Sequence, residues 1–236
     1  MSISLSRWQK AQGYEKKFWQ SHQDLIFSKK RLSQLEQYSE IIRRVLRRFI
    51  KDEEIKVVLQ VGCGPLDIID FWPLGVKYGL DPLIDFYNQH RQNKRVNVNL
   101  INGVGEKLPF TDGYFDLIFL MNAIDHVYDP RQVIAECHRV LRPGRLLYLT
   151  LNVFSSPVAA IKKIFDFLGV DKGHPHAFSA EEIKKLITDS GLTVRYEWSP
   201  AKASARAAMQ ASGSAKVRWL GRLGIVVTTL TLVASK

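Results

Sequence analysis

The chain has 236 residues, a net charge of +11 and 46% hydrophobic residues, enough for one well-buried core and too little for two full domains. With 24% charged residues the composition is that of a globular protein and excludes a wholly disordered one. The only cysteines, Cys63 and Cys137, exclude a disulfide framework and a cysteine-built metal centre, and fit a reducing, cytoplasmic compartment.

The charge is uneven. Residues 1–51 hold 12 Lys/Arg against 4 Asp/Glu, residues 52–201 hold 16 against 19, and residues 202–236 hold 6 against none. Basic flanks thus enclose a slightly acidic middle. They would either solvate the surface or attract an anionic membrane surface or, less readily, nucleic acid. The first thirty residues carry Arg7, Lys10, Lys16 and Lys17 and contain no apolar run of the kind a secretory signal needs. The apolar run at 223–235 is shorter than the ~20 residues of a membrane span and reads as a buried strand.

In chain order, residues 1–51 read as a basic helical extension. Trp8, Tyr14, Phe18 and Trp19 mark a first helix, read as a lid. From Leu32 the apolar positions Leu35, Ile41, Ile42, Val45, Leu46, Phe49 and Ile50 follow a 3.6-residue period, with Arg43, Arg44, Arg47 and Arg48 on the other face. From residue 55 the pattern changes to short apolar runs alternating with helices. Strands are predicted at 55–61, 76–80, 96–101, 115–121, 145–151, 192–198 and 223–233. Pro130 opens a helix at its first turn, another helix is predicted over 157–168, and Ser179 with Glu182 forms a capping box for a helix ending at Gly191. Residues 152–191 read as a substrate-side insertion. Residues 199–222 read as a basic linker before the last strand, with 199–218 as a long flexible connection. The β-α alternation predicts an α/β fold, a doubly wound, Rossmann-like parallel sheet with helices on both faces, filling residues 52–236.

The stretch from Val57 to Pro65, VVLQVGCGP, puts Gly62 and Gly64 where a strand turns into a helix. Glycine lets the backbone approach a ligand there, and the helix N-terminus offers free N–H groups. Asp81 ends the next strand 19 residues after Gly62, close to the ~20-residue spacing of a ribose-binding carboxylate. A dinucleotide fingerprint needs a third glycine where this chain has Asp67, so the pattern favours another nucleoside cofactor.

Together VLQVGCGP, GLDP, GEKLPFTDGYFDLIFLMNAIDHVYDP and ECHRVLRPGRLLYLT resemble the type 11 branch of class I S-adenosylmethionine-dependent methyltransferases, continuously from Val57 to Leu151. The resemblance implies a seven-stranded sheet with the last strand antiparallel, S-adenosyl-L-methionine as cofactor, and transfer of its methyl group. Carried over by position, Gln60, Gly62, Cys63 and Gly64 would face the methionine part and ribose. Asp81 would take the ribose hydroxyls, Leu83, Gly105 and Glu106 would lie by the adenine, and Asn122 and Ala123 beside the sulfonium. Three positions depart from the family: Gln60 replaces an acid, Leu66 a small residue, and Val104 an Asp. A degenerate copy of the fold, binding nucleic acid or an anionic membrane through its basic flanks, is the alternative these departures suggest.

Methyl transfer to an oxygen needs a base near the methyl group. His126, with Asp125 beside it, is the candidate base; the other reading is a histidine that caps or packs the loop. His174 and His176 are candidate substrate-side residues from a loop that could also be plain surface. A His-x-His pair suggests a metal, but no carboxylate or cysteine adjoins it in sequence, so no metal is expected. The loop Asn122-Ala123-Ile124-Asp125 lacks the Pro-Pro-aromatic signature that the superfamily uses on nucleobase amines, and neither cysteine suits attack on a pyrimidine. That leaves methylation of an oxygen, an amine or an activated carbon of a small or carrier-linked molecule, and an oxygen of a sugar, lipid or quinone-like acceptor is the expectation.

Overall fold

The structure is a computed structural model that describes residues 2–90, 97–155, 158–159, 173–222 and 225–236. Its strands are β1 (Val57–Val61), β2 (Val76–Asp81), β3 (Asn99–Asn102), β4 (Phe115–Met121), β5 (Leu141–Phe154), β6 (Thr193–Trp198) and β7 (Val227–Ser235). They form one sheet in the order β3-β2-β1-β4-β5-β7-β6. Neighbours are parallel except for β7, which runs antiparallel to both β5 and β6. The described helices are α1 (Leu5–Ser21), α2 (Gln23–Ile26), α3 (Lys29–Leu46), α4 (Ile68–Phe71), α5 (Ile84–His90), α6 (Pro130–Val140), α7 (Ala180–Asp189), α8 (Lys202–Gln210) and α9 (Ala215–Arg222). Most of the helix expected at 157–168 lies outside the described residues.

The sheet is buried on both faces, and β4 shows why. Every one of its residues is buried, and alternate side chains enter different cores, as a two-residue period requires. Ile118 and Leu120 join Leu59, Val61, Leu147 and Leu149 with Val133 and Ile134 of α6 and Ile183 and Ile187 of α7. Leu117, Phe119 and Met121 join Val58, Trp72 and Tyr148 with Leu35, Ile42 and Leu46 of α3. Helix α3 is thus one layer of the domain and not an appendage. Its basic face is partly engaged by the fold. The guanidinium groups of Arg43 and Arg47 each reach Asp52 Oδ2 at 2.6 Å, and Arg48 lies 5.2 Å above the Tyr196 ring. The hydrogen bond from Arg47, reinforced by Arg43, holds the Asp52 carboxyl at about 2.

At the amino end of the sheet a single carboxylate sets the entry of two strands. Asp116, buried at 1% exposure, accepts from the backbone N–H of Lys56 (2.8 Å) and Val57 (3.0 Å) and from Arg142 (2.8 Å). These charge-assisted bonds leave no buried amide unpaired where β1 begins.

Residues 199–222 are not a loose linker: they fold as α8 and α9. Alanine, Lys, Arg, Gln and Met are strong helix formers, and no proline interrupts 202–222. Arg218 ties the turn between the two helices by donating to the carbonyls of Ser212 (2.7 Å) and Gly213 (2.9 Å). The capping box of α7 forms as the sequence predicts, with Ser179 Oγ accepting from Glu182 N–H at 3.3 Å and Ser179 N–H donating to Glu182 at 2.9 Å. No described helix is long and apolar enough to cross a membrane.

The segment leading into α7 is pinned to the loop after β4 by His176. Its backbone N–H donates to Asp125 O at 3.2 Å, and its Nε2–H donates to Val127 O at 2.9 Å. Burial pushes the His176 ring down to about 4, so it is neutral in the folded protein at pH 7. The unfolded ring takes up a proton near pH 6.5 while the folded one resists until about 4. Between those values the unfolded state binds more protons, and stability falls as pH falls. Denaturant unfolding at steps from pH 7 to 4 is expected to show a loss of up to ~3 kcal/mol from this group. His176→Gln, which keeps a donor for Val127, should flatten that part of the profile; an unchanged slope would remove His176 as its source.

Candidate active site

The carboxyl ends of β1, β2 and β4 open into a cavity of about 650 Å³, within the size range of small-molecule sites. Its floor is the glycine turn. Gly62 has φ +71° and Gly64 has φ +52°, a conformation that L side chains rarely adopt. A Cβ on Gly62 would also run into the Cβ of Ala123, so glycine is required for β1 to lie this close to the loop after β4. The turn is fixed to β2 by Gly62 N–H and Cys63 N–H, both donating to Leu80 O at 2.8 and 3.2 Å.

Asp81 then joins the two turns. Its Oδ2 accepts from Gly64 N–H at 3.0 Å and its Oδ1 from Leu83 N–H at 2.8 Å. The side chain lines the cavity, where a carboxylate can accept from a diol. Pro82, Leu83, Tyr87, Val104, Gly105 and Glu106 continue the wall on the β2 side. Gly105 allows close packing, since a Cβ there would meet Val61 at 3.0 Å and Val133 at 3.2 Å. Glu106 also holds the neighbouring loop: its Oε1 accepts from Tyr128 N–H (2.6 Å) and Asp129 N–H (2.9 Å).

Asn122 and Ala123 stand on the β4 side, with Asn122 at φ +45° and its N–H donating to Thr150 O at 2.8 Å. His126 and His174 line the same side, and their rings lie 4.7 Å apart. His126 Nδ1 is 3.1 Å from Glu15 Oε1, and its Nε2 is 3.8 Å from Asp125 Oδ2.

Of the residues singled out in the sequence, Gln60, Cys63, Asp125 and His176 do not line the cavity. Gln60 is fully buried; its Oε1 accepts from Ile69 N–H (3.0 Å) and its Nε2 donates to Asp67 Oδ2 (2.5 Å). Asp67 thus supplies a carboxylate beside the position where the family usually carries one, and an acid at 60 would repel it. The Cys63 side chain points into the core under β2, where a Cβ on Gly79 would meet its Sγ at 2.9 Å. His176 serves the loop anchor described above.

Sequence reasoning missed how α1 contributes. Trp8, Gln12, Glu15 and Trp19 recur at helical spacing, so one face of α1 lies over the cavity. The helix is held there by Ile3 N–H donating to Tyr128 O (3.1 Å), by buried Ala11, and by Trp19 set edge-on to Tyr87 with ring centroids 6.3 Å apart. The aromatic residues were visible as a possible cover. Glu15 carried no local signal, because its partner His126 is over a hundred residues away.

Residues 59–149 match the family described as the methyltransferase domain. A ubiquinone/menaquinone biosynthesis C-methyltransferase UbiE of Stutzerimonas stutzeri is 30% identical over 172 residues, covering 70% of this chain and 60% of that protein. The cycloartenol-C-24-methyltransferase 1 of Oryza sativa is 27% identical over 157 residues, 59% of this chain and 44% of that protein. The chain spans about half the length of most of the curated relatives it matches. Among solved structures, a putative sarcosine dimethylglycine methyltransferase from Galdieria sulphuraria shares the fold with a TM-score of 0.64, at 18% identity and 85% coverage of each chain. The matched segment builds the glycine turn, Asp81 and the loop holding Asn122 and His126, and this part of the chain is similar to the methyltransferase domain in sequence and to methyltransferases in fold.

Proposed function

We propose that the protein binds S-adenosylmethionine in this cavity and transfers its methyl group to an oxygen of a small or carrier-linked acceptor. The observation that carries the reading is one cavity with two chemically different sides. Asp81 and the glycine turn suit a nucleoside on the β2 side, and His126 meets the acceptor on the β4 side. The residues fit the cofactor: Asp81 presents a carboxylate to the cavity, the group that suits a ribose diol, and the required Gly62 leaves room against Ala123. When bound, the cofactor supplies an already activated methyl group, so the chain has to align, exclude water and manage one proton.

His126 is the group placed to take that proton, with the Glu15 and Asp125 carboxylates 3.1 and 3.8 Å from its two ring nitrogens. The aromatic rings of Trp8 and Phe18 line the cavity and favour an acceptor with apolar bulk, such as a quinone or lipid-linked ring, while Trp19 lies over the glycine turn. Helix α1 is read as the lid. The names of the relatives favour a second reading, methylation of a carbon activated by an adjacent oxygen. That acceptor would present an oxygen to the same histidine. The basic flanks would then draw in anionic carriers, the exposed Arg44 among their charges.

Three outcomes test this reading. Asp81→Ala should weaken S-adenosylmethionine binding roughly 10- to 100-fold by calorimetric titration; unchanged affinity in a folded variant would place the cofactor elsewhere. His126→Ala should lower turnover by about a hundredfold on a panel of hydroxylated aromatic and lipid acceptors, with cofactor affinity little altered. Deleting residues 1–30 should reduce both turnover and acceptor affinity, and full retention of both would end the lid assignment.

A further inference from the structure

Asp125 and His126 leave the loop after β4, and His174 comes from the segment before α7. A carboxylate oxygen and two imidazole nitrogens from these three residues all lie within 4.8 Å of one another. We propose that they form a divalent transition-metal site on the β4 side of the cavity, and that the ion takes an oxygen of the acceptor as a further ligand. The acceptor's part in this rests on the methyltransferase reading above; the ion site does not.

Four observations support it. Two imidazoles and one carboxylate select borderline ions such as Zn²⁺, Fe²⁺ or Co²⁺ over Mg²⁺ or Ca²⁺. Three protein ligands leave coordination positions open, as a catalytic site needs and a structural site does not. Second, His126 is set up as a ligand: Nε2 is on the Asp125 side at 3.8 Å, while Nδ1 has the Glu15 carboxylate 3.1 Å away. A carboxylate behind the far nitrogen is the usual support of a metal-bound imidazole. The Glu15 contact is at ion-pair distance without hydrogen-bond alignment, so a modest ring rotation would complete it.

Third, Asp125 Oδ1 is buried with no hydrogen-bond partner among the described residues, a costly state for a carboxylate oxygen that a cation would relieve. Fourth, His174 is exposed and lines the cavity with His126, so the cluster opens toward the space where the acceptor would sit. His176 is not part of the cluster, and its bonds to Val127 O and Asp125 O hold this segment beside the loop after β4. The histidine pair in the sequence is therefore split: one member anchors, and the other joins a carboxylate and an imidazole from 48 residues or more away.

With an ion bound, His126 acts as ligand and no longer as base. The ion lowers the proton affinity of the acceptor hydroxyl, whose proton leaves to water. The oxygen then forms its bond to the methyl carbon as the sulfonium–methyl bond breaks, leaving neutral S-adenosylhomocysteine.

The test is direct binding. Chelator-treated protein is titrated with Co²⁺ and Zn²⁺ by calorimetry, with Mg²⁺ as the contrast and the visible spectrum of Co²⁺ as a second readout. One equivalent per chain is expected, weakened about tenfold or more by His174→Ala and by Asp125→Asn, with Mg²⁺ binding much weaker. The exposed His174 keeps the experiment informative if Asp125→Asn fails to fold, which thermal melting reports. Absence of binding, or affinity untouched by His174→Ala, would overturn the site. A parallel titration with S-adenosylhomocysteine reads the cofactor assignment alone, so failure of one is distinguishable from failure of the other.

Discussion

The contact between the end of β1 and the start of the loop after β4 is the constraint on which the rest of the site depends. Gly62 lies against Ala123 with no room for a side chain, and its positive φ turns the backbone back toward β2. Because the two strands are adjacent and parallel, their carboxyl ends would bring the turn and the loop together in any protein of this architecture. Here the approach leaves no space for a side chain at position 62, and it puts the glycine turn, Asp81 and the loop holding His126 around one space. Asp81 completes the arrangement by bonding to backbone on both turns, which couples the shape of the nucleoside side to a single carboxylate.

Much of this was legible in the sequence because it is encoded locally. The run Val57–Val61 before two glycines, the uninterrupted apolar run of β4, Pro130 at a helix start and the Ser179–Glu182 box each announce themselves within a few residues. The antiparallel β7 came from family resemblance, since period and composition are the same for a strand of either direction. Residues 199–222 were misread because an Ala/Ser-rich basic stretch has the composition of a linker as well as that of an exposed helix. Exposed helices bury little, so the apolar stripe that identifies a packed helix was absent.

The site itself divides in the same way. Gly62, Gly64, Asp81, Asn122 and Ala123 sit on adjacent strand ends, and their positions follow from strand order. Glu15 and His174 come from segments before and after the sheet's first half, and only the fold brings them to His126. Gln60 shows the opposite limit. Its side chain looked like a departure that weakens the site, yet it is a buried amide that joins Ile69 and Asp67. A neutral hydrogen-bonding residue is what that pocket accepts when the acid is one turn later in the chain.

The place of β7 has a consequence for how the molecule assembles. It is the last strand in chain order, yet it lies inside the sheet, with a hydrogen-bonded neighbour on each side. Until residues 227–235 are made, β5 has a row of unpaired N–H and C=O groups along one of its edges, and β6 has no neighbour at all. An apolar strand edge left open while the chain from 155 to 226 is synthesised is a target for pairing with another nascent copy. The helices α8 and α9, formed from local propensity just before β7, shorten the span that has to be searched for it to reach its slot. The stretch that reads as slack in the sequence thus acts as a guide for the strand that closes the sheet.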